Sequence, residues 1–560
     1  MTRLGRRIEE VPLHDFSGGF TPRLASTEFT ERQWARLDGV VLESPAVLRS
    51  QWAWQPIGDI AGELAEASLP GDGLVQLETL GRNLIGVDDY SRVWTCLSPL
   101  SFEPSSVTAE VEWSQPEPFI GDPDDGKNII SKIAVPDPEG EGDEGFVNGV
   151  LVSAPNPTGG GDVDAGVVYV PENTWTMGVK TVSNRWVPDT PTENTMPYHS
   201  VGTMWRDFYV AGNVLWVENE DSPHGPDNFR RYPNALWFSK GGQPFTWDPL
   251  DVVFMPTGYS GRTAVTALIP IDAGLMVFTQ AGLFLLRGQP DDFEVEPIAW
   301  NMGGWRDRMS FWPYTRSIAW QDNAGQMWLG HSEQFTRLDT HLFQRRTSTS
   351  SDSVNAWGEF LAWSHDGELL LFRAFDEDGA WTRIITPTSD GAGTGGAVRE
   401  LCNVGDQLYG IVQGDGIGLA GEVWRLNRRD DVSYGYFGGP VGEPAEVERG
   451  MIAGTTSVEP VVATRTVEAA EGHGSTVWHR FGFRCSGPGE VESVRLRPGP
   501  ALDDGQPHLD VQLDQQAGAR HDVVIRGHGP SVEASAEIRF KGDVSVEQVS
   551  WWHHRGRGER

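Results

Sequence analysis

Few residue groups in this sequence have the types and spacing that chemistry requires. The segment Asp122-Pro-Asp-Asp-Gly126 is partly similar to a calcium-binding loop, but it lacks the alternating ligands and the closing Glu. His553 and His554 have no spaced acidic or thiol partners, so a solvated tail explains them better than a metal site. The glycine-rich stretch 391–396 precedes no helix that could present amides to a phosphate. GxSxG, HExxH and Walker motifs are absent. The sequence thus predicts no catalytic residue, no metal and no cofactor.

A sialidase-type glycoside hydrolase is an alternative that ranks low. Such enzymes carry Asp-boxes, of the form Ser-x-Asp-x-Gly-x-x-Trp, on the hairpins of a β-propeller. Residues 239–247 keep the Ser and the Trp but lack the Asp. Residues 320–328 contain the Asp, the Gly and the Trp, with the Gly one place late. The three clustered arginines that these enzymes use cannot be assigned to positions in this chain. Release of sugar from a glycan substrate would be the test.

Charge and composition exclude several classes of protein. The 560 residues include 79 Asp and Glu against 44 Lys and Arg, a net charge of −35, whereas binding through DNA phosphates needs a basic face. No run approaches the roughly 18 apolar residues of a membrane-spanning helix, and no apolar stretch follows the N-terminal arginines as in a secretory signal. The three cysteines are far apart, which indicates packed thiols in a protein made in a reducing cytoplasm.

Short apolar hairpins recur along the chain and predict its fold. From about Gly73, an apolar strand repeatedly meets a turn of Gly, Asp or Asn, and a second apolar strand follows. The turn markers are Asn83, Asn213, Asp272, Asn323, Asp366 and Asp406. From Asn213 onward the markers are 59, 51, 43 and 40 residues apart, close to the roughly 40–50 residues of a four-stranded propeller blade. We predict an all-β chain with a β-propeller at 73–432; independent hairpins in β-sandwiches are the alternative.

Two stretches interrupt the repeat and divide the chain into domains. Residues 117–144 hold nine acidic side chains and two lysines, so we interpret the region near 117–164 as an acidic loop insertion in the propeller. The Gly-, Tyr- and Pro-rich stretch 433–448 predicts a linker. Residues 449–560 then predict a β-sandwich-like domain from six alternating stretches. These are Val458–Thr466, Thr476–Phe483, Val491–Leu496, Leu509–Leu513, His521–Ile525 and Val532–Phe540. The pair Trp551-Trp552 beyond them indicates packing rather than a ligand platform.

Residues 1–72 predict an N-terminal arm, a short helix and the first strands. Thr30 and Gln33 have the spacing of a capping box, and the apolar residues among 29–37 share one helical face. Residues 40–54 alternate as a strand does.

Three segments carry a resemblance to a known family. The first is Asp15-Phe-Ser-Gly-Gly-Phe-Thr-Pro-Arg23, followed by Trp34–Gly39 and Leu48–Trp52. In the second, Pro233–Asp248, an Asn introduces an apolar strand ending at Ser, followed by a Gly/Pro turn and an aromatic residue. The third is the hairpin Thr266–Gly288. In their order and spacing these segments resemble the Gly-Gly arm, first strands and hairpins of the propeller-bearing tail proteins of tailed bacteriophages, including nozzle proteins of short-tailed phages. The resemblance covers roughly residues 10–430.

This resemblance implies a structural protein of the virion tail, made in the bacterial host cytoplasm. The chain would be a tail-nozzle or tail-hub subunit that forms a ring of copies of itself, commonly a hexamer. The ring would join a tail adaptor or tail tube, with tail fibres as further partners, and would surround part of the DNA exit channel. Genomic DNA would pass without sequence-specific binding. A strongly acidic chain suits such a conduit, because negative charge on its wall repels the DNA phosphates.

Two sets of residues are expected to serve this role. The acidic insertion is expected to narrow or gate the channel, because long loops on rigid scaffolds tend to carry function; an external loop is the alternative. Its candidate residues are Asp122, Asp124, Asp125, Asp137, Glu139, Glu141, Asp143 and Glu144. The arm and the Trp-bearing segment after it are expected to make subunit contacts, because an extended arm can pair with a neighbour's sheet edge. Its candidate residues are Phe16, Phe20, Arg23, Trp34, Trp52 and Trp54.

A lectin-like propeller that binds a host glycan at the tail tip is the main alternative. Four tryptophans would suit sugar stacking if they are exposed, or packing between blades if they are buried. They are Trp175, Trp186, Trp305 and Trp312. Glycan-array binding by the isolated protein would favour this alternative, whereas a ring-shaped assembly would favour the tail-hub subunit.

Overall fold

A computed structural model of the chain describes the following residues, most of them in β-strands. They are 8–13, 16, 34–57, 64–65, 68, 70–71, 73–81, 83–90, 92–96, 113–114, 129–136, 146–153, 164–169, 178–183, 196–217, 229–257, 264–289, 292–300, 302–331, 334–339, 352–365, 367–375, 379–388, 395–405, 407–413, 421–427, 451–452, 456–457, 459–464, 467–468, 477–497, 509–518, 520–525 and 533–554.

The N-terminal segment supplies five short strands to two different units. They are β1 (Ile8–Pro12), β2 (Arg36–Asp38), β3 (Val40–Ser44), β4 (Val47–Ser50) and β5 (Trp54–Pro56). Strands β3 and β4 form a hairpin. Val40 and Leu42 on one face of β3 belong to one buried cluster, and Val41 on the other face belongs to a second cluster. The alternation of the strand thus places β3 between two cores.

Six blades of a β-propeller follow, each formed by four consecutive antiparallel strands. Blade 1 comprises β6 (Leu74–Leu80), β7 (Asn83–Asp88), β8 (Val93–Cys96) and β9 (Trp113–Ser114). Blade 2 comprises β10 (Ile129–Pro136), β11 (Phe146–Ser153), β12 (Asp164–Tyr169) and β13 (Gly178–Ser183). Blade 3 comprises β14 (Tyr198–Trp205), β15 (Phe208–Val217), β16 (Phe229–Lys240) and β17 (Gln243–Phe254). Blade 4 comprises β18 (Val265–Ile271), β19 (Gly274–Thr279), β20 (Gly282–Arg287) and β21 (Glu294–Trp300). Blade 5 comprises β22 (Met309–Trp312), β23 (Ser317–Gln321), β24 (Met327–His331) and β25 (Gln334–Arg337). Blade 6 comprises β26 (Ser353–Trp357), β27 (Phe360–His365), β28 (Glu368–Ala374) and β29 (Gly379–Ile384).

A seventh blade closes the ring with strands from both ends of the propeller. Its first three strands are β30 (Val398–Val404), β31 (Gln407–Gln413) and β32 (Gly421–Asn427). Its fourth strand is the N-terminal β5, in which Trp54 lies opposite Leu426 of β32. First strands of neighbouring blades contact one another, as β14 does with β18 and β26 with β30, and β30 contacts β6. The described strands therefore form a seven-bladed ring, and the prediction of an all-β propeller is confirmed.

Apolar side chains fill the spaces between the blades. Between blades 3 and 4, for example, Val210 and Leu236 pack with Val277 and Leu286. A single blade cannot cover both of its faces, so the stacking of blades is what buries these residues. The completely buried tryptophans are Trp54, Trp94, Trp237, Trp247, Trp312, Trp320, Trp357, Trp363 and Trp551.

The C-terminal strands form a β-sandwich together with strands from the N-terminus. The C-terminal strands of the sandwich are β35 (Val461–Ala463), β36 (Val467–Glu468), β37 (Val477–Ser486), β38 (Glu490–Arg497), β39 (Leu509–Gln516), β40 (Arg520–Val524), β41 (Glu533–Lys541) and β42 (Ser545–His554). Before them in the chain, β33 (Met451–Ile452) and β34 (Thr456–Ser457) form a hairpin that pairs with β5 at the edge of blade 7. One sheet has the order β3-β4-β42-β37-β40, with β1 also paired to β42. The other has the order β2-β35-β41-β38-β39, and β2 pairs in parallel with β29 of blade 6.

The predicted boundaries 1–72 and 449–560 need correction, because strands from both segments build this one sandwich. The six predicted C-terminal strands are found. The solvated tail predicted at His553 and His554 is instead part of the inner strand β42, in which Trp551 and His553 are buried. One edge of β42 pairs with β37, and the other pairs with β4 and β1. An unpaired edge on a long apolar strand attracts another strand, and here the N-terminal segment supplies it.

The region near 117–164 is not a loop insertion as a whole. Strands β10 and β11 lie within it and are the first two strands of blade 2, with Ile133, Val150 and Leu151 buried. The apolar alternation of both strands is a strand signal, but the acidic residues around them dominate the composition of the region.

The helix predicted at 29–37 is contradicted where the structure describes it. Residues 36–38 form β2, in which Leu37 lies opposite Val462 of β35, and residues 29–33 are outside the described part of the chain. Pairing with a strand more than 400 positions away outweighs the local capping signal.

Of the turn markers that the structure describes, two lie in hairpin turns and two lie in strands, with Asn83 as the first residue of β7. Asp272 and Asn323 lie in hairpin turns. Asn213 lies instead inside β15, at a β-bulge with a φ of 55°, and the turn of that hairpin is at Arg206 and Asp207. Asn tolerates this left-handed conformation better than most residues, which explains its presence at the bulge.

Some predicted features lie outside the described residues. These are Asp366, Asp406, Asp122–Gly126, the linker 433–448 and residues 391–394 of the glycine-rich stretch. Within the described residues, no helix has the length and apolar character needed to cross a membrane.

Candidate functional site

A polar cavity of about 390 Å³ lies at the centre of the ring. Its wall comes from the first strands of four blades, β6, β22, β26 and β30, and from a 3₁₀ turn at Arg306–Arg308. Because first strands surround the axis, residues that are far apart in sequence face the same space. The residues that line it include Glu78, Arg306, Phe311, Asn355, Glu400 and Asn403.

Charged and amide groups from different blades line this axial cavity. Arg306 Nη2 lies 3.8 Å from Glu78 Oε2, an ion pair between the 3₁₀ turn and blade 1. Asn355 Nδ2 donates to the carbonyl oxygen of Leu401 at 3.3 Å. The Asn355 Oδ1 atom is buried and has no hydrogen-bond partner among the described residues. The wall of the cavity therefore carries both hydrogen-bond donors and acceptors, and the Asn355 Oδ1 atom beside it is sealed off from the cavity.

Glu400 is held in an unusual backbone conformation beside the cavity. Its φ is 44°, and the pairing of β30 with β31 shifts register between Arg399 and Leu401. A non-glycine residue in such a sparsely populated conformation costs about 1–3 kcal/mol. Bulges of this kind redirect a side chain and are common next to functional sites. Glu400 lines the cavity as a result.

Two aromatic side chains lie exposed at this end of the propeller. Phe311 lines the cavity and is 42% exposed, and Trp305, next to Arg306 in sequence, is 41% exposed. Trp312 is instead buried, and its Nε1 donates to the carbonyl oxygen of Gly358 at 2.8 Å. Of the four tryptophans considered for sugar stacking, Trp305 is thus exposed and Trp312 packs internally. Trp175 and Trp186 are outside the described residues.

Two aspartates cap blade hairpins in the manner of an Asp-box. Asp322 accepts hydrogen bonds from the amides of Ala324 and Gln326 at 2.8 and 2.9 Å and from Trp328 Nε1 at 2.9 Å. Asp88 accepts from the amides of Tyr90 and Arg92 and from Trp94 Nε1 in the same way.

The Asp88 box was missed by the sequence analysis, although the Asp-x₅-Trp spacing that it shares with the Asp322 box would have revealed it. In both boxes the carboxylate accepts its hydrogen bonds from donors of its own hairpin. These bonds stabilise the turn, so the role of the carboxylate is structural.

The predicted subunit-contact residues are placed inside the chain. Phe16 stacks on Trp34 with ring centroids 4.6 Å apart, and Trp52 and Trp54 lie in the core between blades 6 and 7. All four side chains are buried, so the prediction that they contact a neighbouring subunit is wrong for them. The physical reason is that the segment they belong to completes the sandwich and the seventh blade of its own chain.

The remaining predicted site residues cannot be placed. Phe20 and Arg23 are outside the described residues, as are all eight gate candidates. The gate candidates are Asp122, Asp124, Asp125, Asp137, Glu139, Glu141, Asp143 and Glu144.

Cys96, Cys402 and Cys485 are buried and none of the three is in a disulfide, which agrees with packed thiols. Burial raises the pKa of Cys96 to about 12 and that of Cys485 to about 11. Their thiols are therefore protonated at neutral pH and are poor nucleophiles. In the part of the chain that the structure describes, no group of three or more His, Cys, Asp or Glu residues could hold a metal ion.

His199 is buried in blade 3 as a neutral side chain. A proline carbonyl only accepts, so His199 Nδ1 donates to Pro197 O at 2.8 Å, and Nε2 accepts from the Tyr209 hydroxyl at 2.9 Å. Burial lowers its pKa from 6.5 to about 4; the Pro197 hydrogen bond opposes this, and the charge of Arg306 adds to it.

The unfolded state therefore binds more protons than the folded state between about pH 6.5 and 4, so stability falls as the pH falls. Between pH 7 and 4.5 we expect His199 to account for a loss of about 2–3 kcal/mol in unfolding free energy. Urea unfolding of the wild type and of His199→Gln over this range measures this loss, and the variant should show the flatter pH dependence. Equal slopes in the two proteins would contradict the buried neutral imidazole.

Comparison with known proteins finds likeness in fold alone. No family model and no curated protein matches the sequence. Among solved structures, YCF48 from Cyanidioschyzon merolae is 10% identical, with a TM-score of 0.36 over 67% of this chain and 98% of that one. AztD from Citrobacter koseri is 11% identical, with a TM-score of 0.32 over 65% and 86%. The exo-β-1,3-galactanase from Phanerochaete chrysosporium is 10% identical, with a TM-score of 0.26 over 90% and 99%. None of these similarities carries an argument about function.

Proposed function

We propose that this chain is a structural subunit of a bacteriophage tail, of the nozzle or tail-hub type. Copies of it assemble into a ring, commonly a hexamer, around the path of the DNA. The ring joins a tail adaptor or tube, with tail fibres as further partners, and the protein acts as a component of the virion rather than as an enzyme.

The observation that carries this proposal is the way the N-terminal segment is used. This segment holds the start of the family resemblance, and its strands β1, β3 and β4 enter the sandwich while β5 closes the propeller. The segments at 233–248 and 266–288 that complete the resemblance form hairpins of blades 3 and 4. The resembling segments are thus structural parts of one body in which sandwich and propeller share a sheet, and this supports a structural role for the chain.

The size of the axial cavity limits where DNA can pass. A volume of about 390 Å³ corresponds to roughly a dozen water molecules at ~30 Å³ each. A cavity of this size does not hold a DNA duplex, so in the proposed ring we place the DNA path between copies of the chain. With a net charge of −35 per chain, such a ring surrounds the path with a negative field that repels phosphates.

The mass of the purified protein in solution tests the assembly. We expect a discrete closed oligomer, six times the 61.6 kDa of one chain in the hexameric case, in native mass spectrometry. Because like charges meet around the ring, the oligomer should dissociate at about 10 mM salt, where the Debye length is ~30 Å, and form at about 150 mM, where it is ~8 Å.

Negative-stain images at the higher salt should show rings with a central opening. A chain that stays monomeric at both salt concentrations, even at protein concentrations of about 50 µM, contradicts self-assembly and with it the ring.

A further inference from the structure

A groove of about 360 Å³ lies on the exposed face of the sandwich sheet that contains β1, β42, β37 and β40. Its floor includes Gly482 of β37 and Ser550 of β42, which lie opposite each other. A Cβ at position 482 would lie 2.9 Å from the Trp552 ring, so the groove requires a glycine there. One row across the sheet, formed by Gln548, Arg484 and Arg520, borders this floor, and we call the site the arginine groove.

The charged residues that line the groove are two arginines, in a chain whose net charge is −35. Arg484 of β37 lies directly opposite Arg520 of β40. Side chains that are opposite in this way begin only about 4.5–5.5 Å apart, and like charges there destabilise a sheet. A carboxylate that binds both guanidinium groups removes this repulsion, so the arginine pair indicates a site for an acidic partner.

Both guanidinium groups still have donors to offer. The Arg484 side chain is 61% exposed, and its Nε lies 3.4 Å from Glu547 Oε2. The Arg520 side chain is 53% exposed, and its Nε donates to Asp522 Oδ1 at 3.3 Å. In each arginine one carboxylate thus holds Nε, and the Nη1 and Nη2 atoms donate to no residue in the described part of the chain. These two atoms form a fork that can bind a further carboxylate.

The connection between β10 and β11 of blade 2 has the matching charge. Pro136 pairs with Phe146, so the nine residues 137–145 join the two strands. Five of the nine are acidic, none is basic, and the other four are glycine and proline. In an extended chain, side chains two positions apart lie on one side at a separation of about 6.6 Å. Glu139 and Glu141 have this spacing, which suits two neighbouring arginines. We call residues 137–145 the acidic connection.

The acidic connection is too short to reach the arginine groove of its own chain. The sandwich joins the ring at blade 6, where β2 pairs with β29, and blades 7 and 1 lie between blade 6 and blade 2. Because packed sheets are about 10 Å apart, three steps around a closed ring separate the two places by roughly 20 Å. A nine-residue connection with paired ends extends at most about 15 Å. The partner of the groove is therefore on another molecule.

We propose that the arginine groove binds the acidic connection of a second copy of this chain. A contact between two different surfaces of identical chains is heterologous, and it generates a ring where the rotation between copies closes. The inference rests on the proposed function and deepens it, because it names the two surfaces through which the copies join. These surfaces replace the buried residues Phe16, Trp34, Trp52 and Trp54 as subunit contacts.

Binding of a labelled peptide tests the groove without requiring a ring. The peptide covers residues 136–146, and the titrated protein is a full chain whose own acidic connection is neutralised, so that its groove is free. The substitutions are Asp137→Asn, Glu139→Gln, Glu141→Gln, Asp143→Asn and Glu144→Gln. We expect the fluorescence anisotropy of the peptide to rise at about 150 mM salt, where long-range repulsion is screened. Arg484→Gln with Arg520→Gln should weaken binding at least about tenfold, because the charge-assisted hydrogen bonds are lost.

The matched control is Arg495→Gln with Lys541→Gln. It removes the same charge from β38 and β41, in the other sheet of the sandwich, and should leave peptide binding unchanged. Absence of binding at about 300 µM protein overturns the inference, because it limits the affinity to a Kd well above that concentration. Equal weakening by the control pair also overturns it, since the peptide would then respond only to the total charge.

Mixing two charge-reversed chains tests whether the partner is a second copy. One chain carries Arg484→Glu with Arg520→Glu, and the other carries Glu139→Lys with Glu141→Lys. Each alone should stay monomeric at about 150 mM salt, because groove and connection then have like charge. The mixture should form oligomers with an even number of chains in native mass spectrometry, since each chain restores the complement of the other. A mixture that stays monomeric while the peptide binds assigns the groove to an acidic segment of another protein and overturns the second copy.

The two tests separate this inference from the proposed ring. If the wild type forms rings, the peptide does not bind and Arg484→Glu with Arg520→Glu still assembles, the groove is overturned and the ring stands. If the wild type stays monomeric while the peptide binds through both arginines, the ring is contradicted and recognition of the acidic connection by the groove is supported. Melting temperatures of the variants within a few degrees of the wild type show that each substitution leaves the fold intact.

Discussion

Deletion of residues 1–50 is expected to unfold the C-terminal sandwich, although the deleted residues lie at the opposite end of the sequence. The deletion removes β1, β3 and β4 from one sheet and β2 from the other. It also removes seven buried apolar side chains from the shared core: Leu13, Phe16, Trp34, Leu37, Val40, Leu42 and Leu48. At about 1.5–3 kcal/mol per buried side chain, the loss is roughly 10–20 kcal/mol, which reaches or exceeds the typical 5–15 kcal/mol stability of a whole protein.

Hydrogen exchange and limited proteolysis measure the effect locally. We expect the amides of 477–554 to lose their protection and this region to become sensitive to protease. Deletion of residues 1–7 is the matched control, because it leaves every described strand in place. If 477–554 remains protected without residues 1–50, the sandwich is an autonomous C-terminal domain, as its position in the sequence suggested.

The local part of the fold could be read from the sequence. Apolar hairpins with Gly, Asp or Asn at the turn predicted the propeller, and alternation predicted six C-terminal strands within a few residues. Both signals depend on side-chain periods inside one strand or one hairpin, and such periods persist whatever the strand later pairs with.

The long-range pairings could not be read in this way. The helix predicted at 29–37 and the solvated tail predicted at His553–His554 reflect local preferences. In the structure β2 and β42 are strands because β35, β37 and β4 pair with them. Nothing in the spacing of residues 1–56 indicates that five strands divide between a sandwich and the last blade. The acidic composition near 117–164 likewise concealed two blade strands.

The candidate site was beyond the reach of the sequence for a related reason. Glu78, Arg306, Asn355 and Glu400 come from separate blades, and only closure of the ring gathers them. Glu400 carries no sequence signal, because its importance lies in a φ of 44°. Sequence reasoning named Trp305 and Trp312, which adjoin lining residues in sequence, but neither tryptophan lines the cavity itself.

An ionic cluster around one buried carboxylate joins the sandwich to blade 6. Asp38 of β2, whose side chain is 3% exposed, lies opposite Arg383 of β29 where the two units share a sheet. Arg383 Nε donates to Asp38 Oδ1 at 2.8 Å, and its Nη2 donates to Oδ2, so the pairing is bidentate. Arg36 also donates to Asp38, and Arg383 Nη1 donates to Glu368 Oε1 at 2.9 Å. One carboxylate thus adds ion pairs to the shared sheet and the common apolar core that join the sandwich to blade 6.

Asp38→Ala should lower the free energy of unfolding by about 2–4 kcal/mol. Loss of one partner from a fully buried pair costs about 3–5 kcal/mol, and the smaller figure applies because solvent and Glu368 still reach Arg383, whose side chain is 33% exposed. Asp510→Ala, which breaks the exposed pair of Asp510 with Arg495 at the sandwich surface, is the matched control and should cost less than about 1 kcal/mol.

A double-mutant cycle with Arg383→Ala isolates the pair from the other contacts of each residue. Because both guanidinium donors reach the same carboxylate, the coupling energy should exceed about 1 kcal/mol, measured as urea midpoints at unchanged m-values. Additive effects would mean that Asp38 acts through Arg36 or through packing. The shared sheet and the common apolar core would then hold the sandwich on blade 6, and the carboxylate would be replaceable by an apolar residue of similar size.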